Sequence, residues 1–454
     1  TEYTMSELLL NLVAPAAAES LGNKGQKVGI FYHSDCSKHD IEGHPECPDR
    51  VKAIMSALRS KLDQTGLSYH EAPRAADHHI LLFHTGKLLS EFHRLCDRSK
   101  HSSYQFIDGD TIVMEHTREA AYRAVGAMIA AIDLVYQNTK YSHKISKEKV
   151  GADTESLTVS EFEESLQLNP PPQFDLPTNP STEESPSIEL SLPTEPIPTP
   201  LESLTPLQNT TIRSAFCCVR PPGHHASRSK ACGFCFFNNV AIGAKYAQAQ
   251  YGVDKVAVLD FDVHHGNGTE EGFFDSPSLF YGSTHELDNF PGTGPDPSPL
   301  VGELATQPVY RRIVNRTLRA GPRSRSEFHQ KWVQILEEME LFAPDLVLIS
   351  AGFDAHDEDP LASCELIEED FDWVTAAILN SCVRINPSNP PPCVSILEGG
   401  YDLEALANSA VAHVGALLRG YPAIASVTGE EAVDIQYHGG DEVAALGDYL
   451  KTIG

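Results

Sequence analysis

The chain carries two kinds of hydrophobic pattern, one typical of helices and one typical of buried strands. After Pro48, apolar residues recur at helical spacing on one face; they are Val51, Ile54, Met55, Leu58 and Leu62. A second, alanine-rich helix is predicted at about 117–135. Short apolar runs follow at 214–219, 255–261, 345–350 and 392–397, and a last helix is predicted at about 403–418. Strands that alternate with helices predict an α/β fold with a central, mostly parallel sheet flanked by helices.

Each of the four predicted strands ends in polar, ionisable or glycine-rich residues. In chain order the strands lead to His224 and His225, to Asp260, Asp262 and His264, to Asp354 and His356, and to Tyr401. In parallel α/β sheets, ligands bind beyond the carboxyl ends of the strands. The sequence therefore predicts an active site at that edge of the sheet.

The residues after the second strand favour a metal. Asp260, Asp262 and His264 are spaced by two, so on an extended backbone they project to the same side. Two buried carboxylates and an imidazole without a counter-charge are unfavourable in a core. A divalent cation removes that difficulty, and this donor set suits zinc with open positions for water and substrate. A lone Asp-x-His is equally typical of an ion pair, so the prediction rests on polar groups at all four strand ends.

A segment at about 137–211 differs in composition from the rest of the chain, because it is dense in Pro, Ser, Thr and Glu. Such a segment cannot bury enough apolar surface to offset the entropy of ordering, so we expect it to be largely disordered or draped on the surface. Composition alone fits either a linker between two domains or an insertion within one domain.

Six ordered motifs resemble those of the zinc-dependent histone deacetylase family. They are Arg220-Pro-Pro-Gly-His-His-Ala, Gly233-Phe-Cys-Phe-Phe-Asn-Asn, Asp260-Phe-Asp-Val-His-His-Gly-Asn-Gly, Phe290-Pro-Gly-Thr-Gly, Ala351-Gly-Phe-Asp-Ala-His and Leu397-Glu-Gly-Gly-Tyr. The Gly-Asn-Gly ending and His44-Pro-Glu-Cys-Pro-Asp-Arg are similar to the class II branch. The resemblance implies an arginase/deacetylase-like fold in which one deacetylase domain spans 26–454. An N-terminal extension at 1–25 would precede it, and the segment at about 137–211 would be an insertion within it.

The resemblance also implies roles for the polar residues. One catalytic zinc ion would have the ligands Asp262, His264 and Asp354. An acid/base pair, His224 and His225, would have the respective partners Asp260 and Asn267. An adjacent anion favours imidazolium, so we expect His224 to be the more basic ring and His225 to be the neutral general base.

Further positions implied by the resemblance concern the substrate and a second ion. Tyr401 would donate a hydrogen bond to the substrate carbonyl. A narrow tunnel that suits an acetyl-lysine side chain would be walled by Gly233, Phe234, Phe290 and Pro291. A structural potassium ion would lie near Asp260, Asp262, His264, Ser283 and Thr284.

The expected reaction is hydrolysis of the acetyl amide of N6-acetyl-lysine, on histone tails or other basic proteins. The net charge of −29 at pH 7 disfavours nucleic acid and anionic membranes, and it fits either attraction of basic partners or a role in solubility alone. Other protein substrates, and acetylpolyamines or other small amides, remain open because the same chemistry serves them. A partner-binding role of the insertion would be additional.

The remaining sequence features concern the cellular location, membrane spans and the number of metal ions. Ten scattered cysteines, several in apolar stretches, predict reduced thiols and an intracellular place, in the nucleus, the cytoplasm or both. No apolar run has the length of a membrane span. A binuclear manganese site of the arginase kind is not expected, because Gly266 and His356 stand where further carboxylate ligands would be needed.

Overall fold

A parallel sheet of eight strands forms the centre of the fold. The computed structural model describes residues 26–100, 104–138, 211–296 and 312–422. The strands of this sheet are β1 (Gln26–Tyr32), β2 (Leu67–Glu71), β5 (Thr211–Cys217), β6 (Val256–Asp260), β7 (Leu279–Glu286), β8 (Ile313–Leu318), β9 (Leu346–Ala351) and β10 (Cys393–Leu397). Their order across the sheet is β2-β1-β5-β10-β9-β6-β7-β8. A short antiparallel pair, β3 (Gln105–Phe106) and β4 (Ile112–Val113), lies apart from it.

Helices cover both faces of the sheet. They are α1 (Asp49–Lys61), α2 (Asp77–Ile80), α3 (Gly86–Ser99), α4 (Thr117–Asn138), α5 (Asn239–Tyr251), α6 (Asn267–Phe273), α7 (Arg323–Phe342), α8 (Glu368–Ile385) and α9 (Leu403–Arg419). Helices α4 and α5 pack together and against β5 and β9 respectively, whereas α1, α7, α8 and α9 share a second apolar layer with the sheet. Two single 3₁₀ turns lie at Ser34–Lys38 and Gln64–Gly66.

The central strands have apolar residues on both faces because both faces are covered. Every residue of β6, β9 and β10 is buried, as expected for the interior strands of a parallel sheet. Each predicted strand and each predicted helix is present with its ends moved by a few residues, and the α/β prediction is confirmed.

The four strands predicted to carry the site are neighbours, in the order β5-β10-β9-β6. Their carboxyl ends therefore form one continuous stretch of the sheet edge. The predicted extension at 1–25 lies outside the described residues, as does the predicted insertion except for its outermost residues, which belong to α4 and β5. Within the described ranges, no helix combines the length and hydropathy needed to cross a membrane.

Candidate active site

In the loop after β6, aspartate side chains accept hydrogen bonds from backbone amides two residues later and so form turns. The Asp262 amide donates to Asp260 Oδ1 at 3.2 Å, and the His264 amide donates to Asp262 Oδ1 at 2.8 Å. The expectation that these three residues share one face of an extended strand is therefore wrong, because β6 ends at Asp260. The turns direct the Asp260 carboxylate toward His224, and they direct Asp262 and His264 toward Asp354.

Asp262, His264 and Asp354 come together as predicted. His264 Nδ1 lies 3.2 Å from Asp262 Oδ1 and 3.0 Å from Asp354 Oδ2. Backbone amides fix the carboxylates, since Val263 donates to Asp354 at 2.9 Å and Gly399 donates to Asp262 at 2.7 Å. A side chain at Gly399 would collide with these carboxylate oxygens, so this close approach requires glycine.

This group has the composition of a cation site. Asp262 and Asp354 are 1% and 0% exposed, and one ligand atom from each of the three residues lies within 4.8 Å of the others. Burial and the charge of Asp262 raise the pKa of Asp354. Two buried carboxylates beside one imidazole are stabilised by a divalent ion, and this donor set fits zinc. It is the one such three-residue group among the described residues.

The two histidines after β5 have partners of different charge. His224 Nδ1 lies 3.0 Å from Asp260 Oδ2, and His225 Nδ1 lies 2.9 Å from Asn267 Oδ1. Burial lowers the pKa of His224, but Asp262 and Asp260 outweigh it and raise the value to about 10. Burial and the charge of His224 hold the pKa of His225 well below its usual value. The two rings lie side by side with centroids 4.0 Å apart, and the pKa shifts run in opposite directions, as expected from the sequence.

Tyr401 and two phenylalanines surround these groups. The Phe234 ring meets the Tyr401 ring edge-on at 5.9 Å, and the Phe290 ring meets the His225 ring edge-on at 5.0 Å. Phe290 is 44% exposed, so it lies at the rim and not in the core. Gly233 has φ +57°, and a side chain there would collide with the His225 ring. These contacts fit the aromatic walls that the resemblance implies, with Pro291 directly after Phe290.

Three residues named in the sequence analysis, His356, Ser283 and Thr284, have contacts outside the group around His264. The His356 ring is directed at Asp357, with Nδ1 2.9 Å from its carboxylate, and it does not join the group around His264. Ser283 is the strand partner of Asp260, whereas the Thr284 hydroxyl accepts from the Trp332 indole at 3.0 Å. The potassium site near these residues stays a prediction.

A buried charge cluster behind Tyr401 was not predicted. Glu46 binds Arg220 at 2.5 and 2.6 Å and Arg50 at 3.1 Å. Arg50 donates to the carbonyls of Glu398 at 2.5 Å and Gly400 at 2.6 Å, and its guanidinium lies 4.9 Å from the Tyr401 ring centroid. Burial raises the pKa of Glu46, but Arg220 and Arg50 bring it down to about 2. Both arginines belong to motifs noted in the sequence. Arg50 pairs with Glu46 of its own motif, whereas Arg220 and the carbonyls that Arg50 binds bring together segments that are distant in the chain.

Glu398 was also missed, although it lies in the Leu397-Glu-Gly-Gly-Tyr motif. Its carboxylate accepts from the amides of Gly223 at 2.6 Å and His224 at 3.1 Å, and from Ser350 Oγ at 3.1 Å. Burial raises its pKa to about 7, even though the charge of His224 opposes that shift. Glu398 therefore joins the ends of β5, β9 and β10 behind the histidine pair.

Comparisons with known proteins identify the family to which the chain is similar. Residues 44–417 match the family described as "Histone deacetylase domain". "Histone deacetylase 10, chloroplastic" of Oryza sativa subsp. japonica is 29% identical over 87% of this chain and 74% of its own length. "Type-2 histone deacetylase 2" of Dictyostelium discoideum is 38% identical over 89% of this chain but 21% of its own length. The crystal structure of the HDA15 HD domain aligns with a TM-score of 0.62 and 25% identity, over 88% of this chain and 92% of that one.

Proposed function

This chain belongs to the histone deacetylase family of hydrolases, and we propose that it uses one zinc ion to remove acetyl groups from lysine side chains of proteins. The observation that carries the proposal is the convergence of Asp262, His264 and Asp354 within 4.8 Å, beside a histidine pair with unlike partners. The names of the rice and Dictyostelium relatives support deacetylation.

The ligands in this proposal are Asp262, His264 and Asp354. A zinc ion held there would polarise the acetamide carbonyl and bring the pKa of water to about 7. The chain itself supplies proton transfer and orientation. Because Asn267 Oδ1 accepts from His225 Nδ1, His225 Nε2 is the nitrogen that can take the proton of the attacking water.

His224 and Tyr401 complete the reaction in this proposal. His224, held as imidazolium by Asp260, stabilises the developing negative charge and can donate a proton to the leaving amine. Burial raises the pKa of Tyr401 well above its usual value, so its hydroxyl stays protonated. It can therefore donate a hydrogen bond to the carbonyl oxygen as charge develops there. The products are lysine and acetate.

Two properties favour protein lysine as substrate. The Phe290 ring contacts His225 and the Phe234 ring contacts Tyr401, and an apolar lysine stem packs well between aromatic rings. The net charge of −29 attracts basic proteins, of which histone tails are one class.

The test measures acetate release and metal content together. Purified chain is assayed with acetyl-lysine peptides of basic and acidic sequence and with an acetylated polyamine. We expect chelator-sensitive hydrolysis that is fastest on basic peptides. Asp354→Ala should lose zinc and activity while remaining folded, because it removes one of three ligands. The matched control is Asp357→Asn, an exposed carboxylate on the same loop.

Three results would contradict parts of this proposal. Two tightly bound transition metals per chain, or unchanged zinc in Asp354→Ala, would remove the metal assignment. Faster hydrolysis of the acetylated polyamine than of every peptide would replace protein lysine with a small amine as the substrate.

Tyr401→Phe tests the hydrogen bond to the carbonyl separately. It removes one hydroxyl from a ring held by Phe234 and Arg50, so zinc content and thermal stability should not change. Turnover should fall about a hundredfold or more, as for loss of one oxyanion donor. Near-normal kcat in this variant would exclude Tyr401 from the reaction.

A further inference from the structure

Asp359 is a buried carboxylate next to the active site that the reaction described above does not use. It lies in the loop after β9, nine residues before α8 begins at Glu368, and is 6% exposed. One carboxylate oxygen accepts from the Tyr401 amide at 2.7 Å, and the other accepts from the Leu361 amide at 3.0 Å. It therefore connects its own loop to the backbone of the tyrosine that faces the substrate.

The backbone before Tyr401 needs such a contact. Tyr401 follows Gly399 and Gly400, and Gly400 has φ +115°, a conformation available mainly to glycine. Arg50 holds the Gly400 carbonyl at 2.6 Å. The peptide that joins Gly400 to Tyr401 is thus held at its carbonyl by Arg50 and at its amide by Asp359. Two glycines in succession restrict the chain little by themselves, so these contacts determine where Tyr401 lies.

The loop that carries Asp359 is itself anchored. The Glu286 carboxylate accepts from the Ser363 amide at 3.1 Å and from Asn289 Nδ2 at 2.8 Å. Asn289 precedes Phe290 at the rim and also donates to the Leu361 carbonyl at 3.3 Å. Hydrogen bonds from Glu286 and Asn289 therefore fix the loop that carries Asp359 to the segment just before Phe290.

The position is costly for a carboxylate, which argues that its hydrogen bonds are required. Burial and the charge of Asp354 raise the pKa of Asp359 to about 7. A buried carboxylate near another one is unfavourable unless its hydrogen bonds compensate.

We propose that Asp359 is a positioning residue that holds Tyr401 at its backbone amide, in the place where the hydroxyl reaches the substrate carbonyl. This inference rests on the proposed role of Tyr401. Asp359 itself does not touch substrate. Its effect is transmitted by one hydrogen bond to the amide of Tyr401.

The experiment is a double-mutant cycle. Asp359→Asn and Asp359→Ala are each combined with Tyr401→Phe, and kcat and KM are measured on one acetyl-lysine peptide at equal zinc content. We expect Asp359→Ala to lower kcat about tenfold with little change in KM, because an oxyanion donor acts mainly in the transition state. Asp359→Asn should lower kcat less than Asp359→Ala does, because the amide oxygen of asparagine can still accept one of the two hydrogen bonds. In the Tyr401→Phe background both substitutions should change kcat by less than about twofold.

A second measurement does not depend on turnover. In protein labelled with 3-fluorotyrosine, the ¹⁹F resonance of Tyr401 is identified by its loss in Tyr401→Phe. It should shift or broaden in both Asp359 variants. The matched control is Glu358→Gln, an exposed neighbouring carboxylate, which should leave the resonance and kcat unchanged.

The outcomes separate this inference from the function it rests on. If wild-type chain is inactive, or Tyr401→Phe is fully active, the proposed function fails. If Tyr401→Phe is impaired while Asp359→Asn and Asp359→Ala keep normal kcat and an unmoved resonance, the positioning role fails. Equal losses in both tyrosine backgrounds would show that Asp359 acts on the fold in general and would overturn the proposal as well.

Discussion

His224 and His225 are adjacent in the chain, yet they differ in the charge of the partner at Nδ1. Asp260 can carry a negative charge, and Asn267 cannot. The two partners come from opposite ends of one loop, since Asp260 closes β6 and Asn267 opens α6. An anion beside one imidazole favours its protonated form, so His224 is expected to be the cationic ring and His225 the neutral one.

The difference in charge between the two partners predicts that replacing His224 and replacing His225 by alanine lower activity by unequal amounts. At matched zinc occupancy, His225→Ala should lose more activity than His224→Ala, because it removes the proton acceptor, and general bases typically contribute about 10²- to 10⁴-fold. The measurement is kcat/KM across pH for both variants, with zinc determined in each sample. If His225→Ala retains substantially more activity than His224→Ala, the two roles are exchanged.

Spacing along the sequence identifies site residues that lie in a recognisable motif at a strand end. It does not identify residues whose role depends on a contact with a distant segment. Asp262, His264 and Asp354 could be predicted because each occurs next to a strand end within a distinctive motif. Asp359 could not, since its function depends on the amide of Tyr401, 42 residues away in the chain. Glu46 and Arg220 are 174 residues apart, and nothing local in either segment indicates that the two would pair.

At the scale of elements, one histidine joins two helices and the central strand. His413 on α9 is fully buried, with Nδ1 2.7 Å from Thr375 Oγ1 on α8 and Nε2 2.8 Å from Ser395 Oγ on β10. Burial lowers the pKa of His413 to about 3. This interface is therefore built around a neutral imidazole.

A buried neutral histidine predicts how stability depends on pH. The usual pKa of 6.5 applies after unfolding, so acid protonates the unfolded chain first. The contribution of His413 to stability is complete above pH 6.5 and is lost as pH falls toward about 3. Between these limits it amounts to about 1.4 kcal/mol per pH unit.

Urea unfolding at several pH values measures this contribution. His413→Gln should be less stable at neutral pH, and its unfolding free energy should fall less steeply with acid than that of the wild type. Replacement of exposed His116 by Gln is the control, and it should retain the wild-type slope. Loss in acid of the metal proposed above would be common to all three proteins, so it would cancel in the comparison. Equal slopes for wild type and His413→Gln would contradict the prediction.

Hydrophobic pattern was sufficient for buried strands made almost wholly of apolar residues and insufficient for strands that include polar ones. The runs at β6, β9 and β10 are almost wholly apolar, and they were predicted. Strand β7 was not, although all of its residues are buried, because it includes Gly282, Ser283, Thr284 and His285. The polar members of that strand are satisfied by tertiary partners, for example His285 by the Gly294 carbonyl at 2.7 Å, and such partners leave no periodic signal.

At the scale of the whole molecule, the described residues that flank the segment at about 137–211 lie at the ends of the strands opposite the candidate active site. The segment follows the end of α4, where the Tyr136 hydroxyl reaches the Asp345 carbonyl just before β9 begins, and it leads to the start of β5. The loops that form the candidate active site lie at the other ends of these strands. Both attachment points are therefore remote from the residues proposed to act on substrate.

We predict that residues from about 140 to 208 can be replaced by a short flexible linker with zinc content and kcat on acetyl-lysine peptides essentially unchanged. The Pro, Ser, Thr and Glu composition gives this segment little apolar surface to contribute to the core. The measurements are zinc analysis, thermal unfolding and kinetics of the shortened protein beside the full chain. A folded, zinc-loaded variant without activity would show that the segment shapes the site.

The position of β10 has a consequence for biosynthesis. It is the last strand in the described part of the chain, yet it lies between β5 and β9. Until residues 393–397 have left the ribosome, the place of β10 in the sheet is empty. The nascent chain can then form two separate groups of strands, one ending at β5 and one ending at β9, and each group has an unpaired edge. Such edges can pair with other chains. Translation that stops before β10 would therefore yield a product that is inactive and prone to aggregate, so the catalytic edge can form only after nearly the entire domain has been made.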